Sequence, residues 1–159
     1  MRSTGKPTGR VPPTLAAVAL LVFVVAAAAY APKLPNGFTF DDRVFIQTDP
    51  ALRSLPSALH EFTVDQARLY RPLRSLALAS LIHFFGLDSS LPFQVAGILF
   101  HAALSALVVC LAWFMLNNMG AALLAGLVFA LHPVHADRVA NITGSFDLLG
   151  LVLAYAAWV

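Results

Sequence analysis

Two stretches without a formal charge constrain this chain before any other feature: Val11 to Ala31, 21 residues, and Leu91 to Leu116, 26 residues. As helices they would be about 31 and 39 Å long, against a bilayer hydrocarbon core of about 30 Å. Only 11% of the 159 residues are charged and 59% are hydrophobic, whereas a soluble domain carries about 25% charged residues. The expected class is therefore an all-α membrane protein. The net charge is only +2 and the basic residues are scattered, which excludes a nucleic-acid partner. Cys110 is the single cysteine, so an intrachain disulfide and a cysteine-built metal site are both excluded.

The order of apolar and polar stretches predicts a topology. Arg2, Lys6 and Arg10 make residues 1–10 a basic, cytoplasmic tail, and residues 11–31 form the first span. Ala29-Tyr30-Ala31 also has the small-x-small form of a signal-peptide cleavage site. Either reading delivers Lys33 onward to the outer side.

Residues 32–90 form an outer loop, because Pro32, Pro35, Asn36-Gly37, Asp49-Pro50 and Pro56 punctuate a polar stretch that cannot cross a bilayer. Within it, Ser57 to Gln66 predicts a short surface helix with Glu61 and Asp65 on one side. Pro72 to Leu87, carrying Arg74 and His83, predicts an interfacial or re-entrant helix.

Asp88-Ser89-Ser90 supplies a cap for the second span, 91–116. Asn117 to Gly120 is a tight turn into a third span, 119–136, kinked at Pro133, with Ala122 and Gly126 as a small-xxx-small pair for close helix contact. A last apolar run starts at Leu148, and residues 147–159 are expected to be an incomplete fourth span. On that expectation the chain is the amino-terminal part of a longer protein. Six of the ten basic residues lie in the outer loop, offset there by six acids, so the orientation rests on the first span.

Polar groups near a membrane are costly and therefore informative. If residues 72–87 do not cross, then Asp41, Asp42, Tyr70, Arg71, His132, His135, Asp137, Arg138 and Asp147 all face one boundary. If they do cross, the aspartate pair and the histidines are separated. Two adjacent carboxylates, Asp41 and Asp42, suit a general base or a metal ligand, or a solvated pair capping a short helix. His132 and His135, followed by Asp137-Arg138, suit metal coordination or phosphate binding, or a polar helix end among head groups. Asp147 precedes the last apolar run, where a carboxylate also serves as a helix cap. His101, at mid-span, is read as an interhelix hydrogen-bonding group, and Asn141-Ile-Thr143 matches a glycosylation sequon.

Taken in order, FTFDDRVFIQTDPAL, YRPLRSLALASLIHFFGLDSSLPFQ, the His101 span and FALHPVHADRVANITGSFDLLG resemble the membrane half of the transmembrane, tetratricopeptide-repeat-containing O-mannosyltransferase-like family. The resemblance covers Leu34 to Tyr155 and implies a fold of GT-C-like transmembrane helices, with short surface helices on the outer loop. It implies transfer of a sugar, mannose, from a polyprenyl- or dolichyl-phosphate carrier to a protein or other hydroxyl acceptor. The site would face the outer or lumenal side of a bacterial inner membrane or the endoplasmic reticulum.

By that resemblance Asp41 and Asp42 are the catalytic acids, one of them deprotonating the acceptor. Tyr70, Arg71, His132, His135, Asp137, Arg138 and Asp147 would bind substrate around the carrier phosphate. A divalent metal is a candidate cofactor, with Asp42, His132 and His135 as its candidate ligands. The partners expected are the lipid-linked donor, membrane lipids and an acceptor polypeptide. The chain departs from the family at Gly97, where Asn is common, at Asp137, where Glu is usual, and at Gly144-Ser145, where Gly-Arg is usual. The alternative is a non-catalytic membrane protein that binds lipid phosphate or a partner through the same outer pocket.

Overall fold

The computed structural model describes residues 12–63 and 70–158. The expected basic tail 1–10 lies outside these residues, as does Asp65 of the expected surface helix. The first element, α1 (Pro13–Tyr30), starts with proline, whose missing N–H would be unpaired there anyway, and tightens into a 3-10 turn through Lys33. The loop beyond it is folded. α2 (Phe40–Asp42) runs into a π-helical stretch ending at Gln47, a 3-10 turn covers Pro50–Arg53, and α3 (Leu55–His60) begins where the Ser54 hydroxyl accepts the Ser57 N–H.

α4 (Pro72–Phe85) has 14 residues, about 21 Å of helix, and is too short to cross. It stops at Gly86, whose φ of 71° is the left-handed backbone that glycine adopts freely. α5 (Leu91–Leu116) is the long span, with the Ser89 hydroxyl accepting the Leu91 N–H at its start and left-handed Asn117 at its end. α6 (Met119–Leu131) starts on the Asn118 side chain, which accepts the Ala121 N–H.

The expected third span differs from expectation at its carboxyl end. His132 is extended (φ −67°, ψ 129°), because the residue before a proline is pushed out of the helical region. A 3-10 turn, Pro133–His135, and α7 (Ala136–Ala140) then continue at a bend of 44°. α8 (Ile142–Phe146) and α9 (Leu148–Trp158) complete the described chain. Two described helices are long and apolar enough to cross a membrane, and three if the bent pair counts as one span.

α5 runs antiparallel to α1 and α6, and all three helices pack against one another. Close approach depends on small residues: a β-carbon on Gly126 would fall 2.3 Å from Val109 Cγ2 and 3.3 Å from Val22 Cγ1. Ala122, Ala102 and Ala26 are fully buried in the same core. A second core joins Ile46 and Leu52 of the loop to Leu78 and Ala79 of α4, Phe93 of α5, and Ile142 and Phe146 of α8. That core seats α4 under the loop, at the end of the bundle where α5 begins. α9 packs along α5 through Leu104, Leu148, Val152 and Tyr155.

Candidate functional site

The polar residues converge because α4 folds back under the loop instead of crossing. A cavity of about 1660 Å³ opens between the loop, α3, α4 and the α7–α8 segment. Asp41, Tyr70, Arg71, Asp137, Arg138 and Asp147 of the expected set line it, together with Arg74, His60, Glu61 and Asn141. Its size exceeds the roughly 300–1,000 Å³ of an ordinary small-ligand pocket.

The two adjacent aspartates occupy different environments. Asp42 is fully buried. One of its oxygens accepts the Thr143 N–H at 2.9 Å and the Thr143 hydroxyl at 2.8 Å. The other accepts the Thr39 N–H at 3.0 Å and its hydroxyl at 2.9 Å. The Thr39 half is the reciprocal contact of a capping box, and the Thr143 half ties the loop to the start of α8. Four donors leave this carboxylate no free face. Asp41 is half-buried, lines the cavity, and meets one donor at long range, Asn141 Nδ2 at 3.4 Å.

The cations that line the cavity come from the start of α4 and from α7. Arg71 pairs with Asp147, and Arg138 Nη1 lies 3.7 Å from the same Asp147 oxygen. Arg74 lies 5.8 Å from the centre of the Phe45 ring, and its buried Nε has no hydrogen-bond partner among the described residues. Burial lowers the Arg74 pKa, and the negative charge of Asp147 works against that. A guanidinium on the wall of a cavity is a donor group suited to an anion.

His132 and His135 do not line the cavity. His132 Nδ1 accepts the Val134 N–H at 3.1 Å and caps the 3-10 turn. His135 packs on Phe129, centroids 4.3 Å apart, and stands 5.6 Å from His101. His101 is buried, with Nε2 3.1 Å from the Ala130 carbonyl oxygen, which is the interhelix contact expected of it. Among the described residues no three His, Cys, Asp or Glu side chains gather as metal ligands. Asp42 is saturated by threonine donors, His132 Nδ1 caps the 3-10 turn and the His135 ring packs on Phe129, so these three side chains do not gather around one ion.

Four residues gain roles that sequence reasoning missed. Arg74 was legible as a lone cation in an apolar 14-residue helix. Asn141 and Thr143, read as a sequon, hold Asp41 and Asp42 respectively, and Asn141 Oδ1 also accepts the Gly144 N–H at the start of α8. Lys33, read as a loop charge, is buried and donates to the Val139 carbonyl oxygen. Two of the departures noted above also meet in space. A β-carbon on Gly97 would fall 2.3 Å from Ser145 Oγ and 3.3 Å from Lys33 Nζ.

An apolar helical bundle that carries a polar cavity at one end, lined by a carboxylate and arginines, fits an integral membrane protein with a ligand-sized site. The comparisons narrow this. The chain is similar to protein O-mannosyl-transferase TMTC2 of Homo sapiens, 29% identical over 139 residues, which are 81% of this chain and 16% of the relative. It is similar to TMTC4 of Homo sapiens, 29% identical over 166 residues, 90% of this chain and 22% of the relative. TMTC3 of Homo sapiens is 27% identical over 148 residues, 87% of this chain and 16% of the relative. These names match the family that the aspartate-pair, Tyr-Arg-Pro-Leu and His-Pro-Val-His motifs resemble. The chain spans 16% to 22% of the length of these relatives. No family model and no solved structure matches it.

Proposed function

We propose that the chain forms the catalytic end of a membrane O-mannosyl-transferase that takes mannose from a polyprenyl or dolichyl phosphate and passes it to a hydroxyl of an acceptor polypeptide. The amino terminus is cytoplasmic and the cavity faces the outer or lumenal side. Asp41 accepts the proton of the acceptor hydroxyl while that oxygen bonds to the anomeric carbon. The bond from that carbon to the carrier phosphate breaks, and its electron pair leaves with the phosphate. Arg71, Arg74 and Arg138 meet the charge that develops there.

One observation carries this reading: a single cavity brings an available carboxylate, Asp41, together with three guanidinium groups. The adjacent Asp42 is a structural tie between the loop and α8. The reading is tested by mannosyl transfer from a polyprenyl-phosphate donor, using the native protein and its Asp41→Asn form. A positioned base contributes about 10²- to 10⁴-fold, so Asp41→Asn is expected to lose at least 100-fold in rate with its thermal unfolding unchanged. Full activity of Asp41→Asn would overturn the assignment.

A second reading, lipid-phosphate binding without transfer, draws on the pairing of Arg71 and Arg138 with Asp147, which already offsets part of the cationic charge. Binding of the donor with no turnover by the native protein would favour it.

A further inference from the structure

Lys33 is a buried cation that the proposed steps leave unused. It stands in the 3-10 turn at the end of α1. A buried ammonium is costly unless its N–H groups find acceptors. Among the described residues its acceptor is the Val139 carbonyl oxygen, and the negative charge of Asp42 favours the cation. Two short residues give it room. A β-carbon on Gly97 would fall 3.3 Å from Lys33 Nζ and 2.8 Å from the β-carbon of Ser145, which is fully buried. The turn that carries Lys33 is itself tied down. Its carbonyl oxygen accepts the Asn36 N–H at 2.9 Å, and the Asn36 carbonyl oxygen accepts the Ser90 hydroxyl at 2.7 Å.

Val139 follows Arg138 in α7, a helix of five residues. So short a helix is not stable by itself, and contacts from outside it fix where it lies. Two such contacts meet consecutive peptide units. Gly144 of α8 lies against the Arg138 backbone, where a β-carbon would stand 3.3 Å from the Arg138 carbonyl oxygen. Lys33 takes the next carbonyl, near the end of α7, where helix carbonyls lack partners within the helix and a cation is favoured.

We propose that Lys33 is a positioning residue of the transferase, holding α7 from outside the cavity so that Arg138 stands beside Asp147 on the cavity wall. The inference rests on the proposed transferase reading and adds how one of its three guanidinium groups is placed. Lys33 does not line the cavity, so it acts through Arg138.

The test measures kcat and KM for mannosyl transfer from a polyprenyl-phosphate donor in the native protein and its variants. Lys33→Met keeps the apolar stem and removes the charge and its donors. The loss is expected in kcat, because Arg138 meets charge that develops only as the phosphate leaves. Residues in one network couple, whereas independent ones add. Lys33→Met is therefore expected to lower kcat about tenfold in the parent and in an Arg74→Gln background, and by less than about twofold where Arg138 is already Gln. The same tenfold loss in the Arg138→Gln background, or native kinetics in Lys33→Met, would overturn the proposal and leave the transferase reading standing. A native protein that transfers no mannose would overturn both. Hydrogen exchange gives a readout that needs no activity. Amides of residues 136–146 are expected to exchange faster in Lys33→Met while those of residues 91–116 keep their rate. Faster exchange in both segments would make Lys33 a residue of general stability and overturn its positioning role. Unchanged exchange in residues 136–146 would overturn it as well.

Discussion

Asp42 shows how the same residue type does two jobs one position apart. Its carboxylate receives four hydrogen bonds from two threonines a hundred residues apart in the chain, and it is fully buried. Asparagine at this position keeps the size and turns one acceptor into an NH₂ group facing N–H and O–H donors. Hydrogen bonds to a charged group are worth roughly 1.5–3 kcal/mol each, so Asp42→Asn is expected to cost about 2 kcal/mol or more. A clear drop in Tm in detergent is the readout. Asp41→Asn, with one long contact to lose, should leave Tm near that of the parent. Equal Tm values for the two variants would remove the division of labour. The motif Phe-Thr-Phe-Asp-Asp announced an acidic pair but not which acid was free. Thr143, which decides it, arrives from α8 and is visible only after folding.

At the level of elements, local chemistry was readable where a residue's own backbone limits decided the outcome. The prolines opening α1 and α4, the Ser89 and Asn118 contacts at helix starts, and the small pair Ala122 and Gly126 all stand in the sequence. The end of α6 was half readable. Pro133 predicted a kink, whereas His132 turns extended and α7 follows at 44°. That bend carries Asp137 and Arg138 toward the cavity and leaves His132 and His135 out of it. Periodicity alone treats all four as one polar helix end.

The small-residue contact gives a test of its own. Leucine at position 126 would force atoms into Val109 and Val22, and overpacking of this kind costs typically 1–3 kcal/mol. Gly126→Leu is therefore expected to lower Tm, while Leu124→Ala, at a 63% exposed position on the same helix, changes it little. If Gly126→Leu were as stable as the parent, α6 would not approach α1 and α5 so closely.

For the whole molecule, the site depends on where α4 lies, a helix too short to cross a bilayer and packed under the loop. Had α4 spanned the bilayer, the loop carrying Asp41 and the segment carrying Arg138 would stand on opposite faces. Instead the core of Ile46, Leu52, Leu78, Phe93 and Phe146 holds α4 beneath the loop, and both segments line one cavity. The composition of residues 72–85 could not decide this, since 14 apolar-rich residues suit an interfacial helix as well as part of a span. The contacts with the loop favour the interfacial position.

Accessibility to a membrane-impermeant maleimide tests this arrangement in a Cys110→Ala background. Ser57→Cys in α3 and Asp88→Cys before α5 bracket α4, and all three positions with Gly120→Cys are exposed. The first two are expected to label together from the outer or lumenal face, with Gly120→Cys labelled only after the opposite face is opened. Labelling of Ser57→Cys and Asp88→Cys from opposite faces would make α4 a span and separate Asp41 from Arg138. Labelling of the first two together but from the cytoplasmic face would keep the cavity and invert the protein. That outcome would move acceptor and sugar transfer to the other side of the membrane without altering a contact within the site.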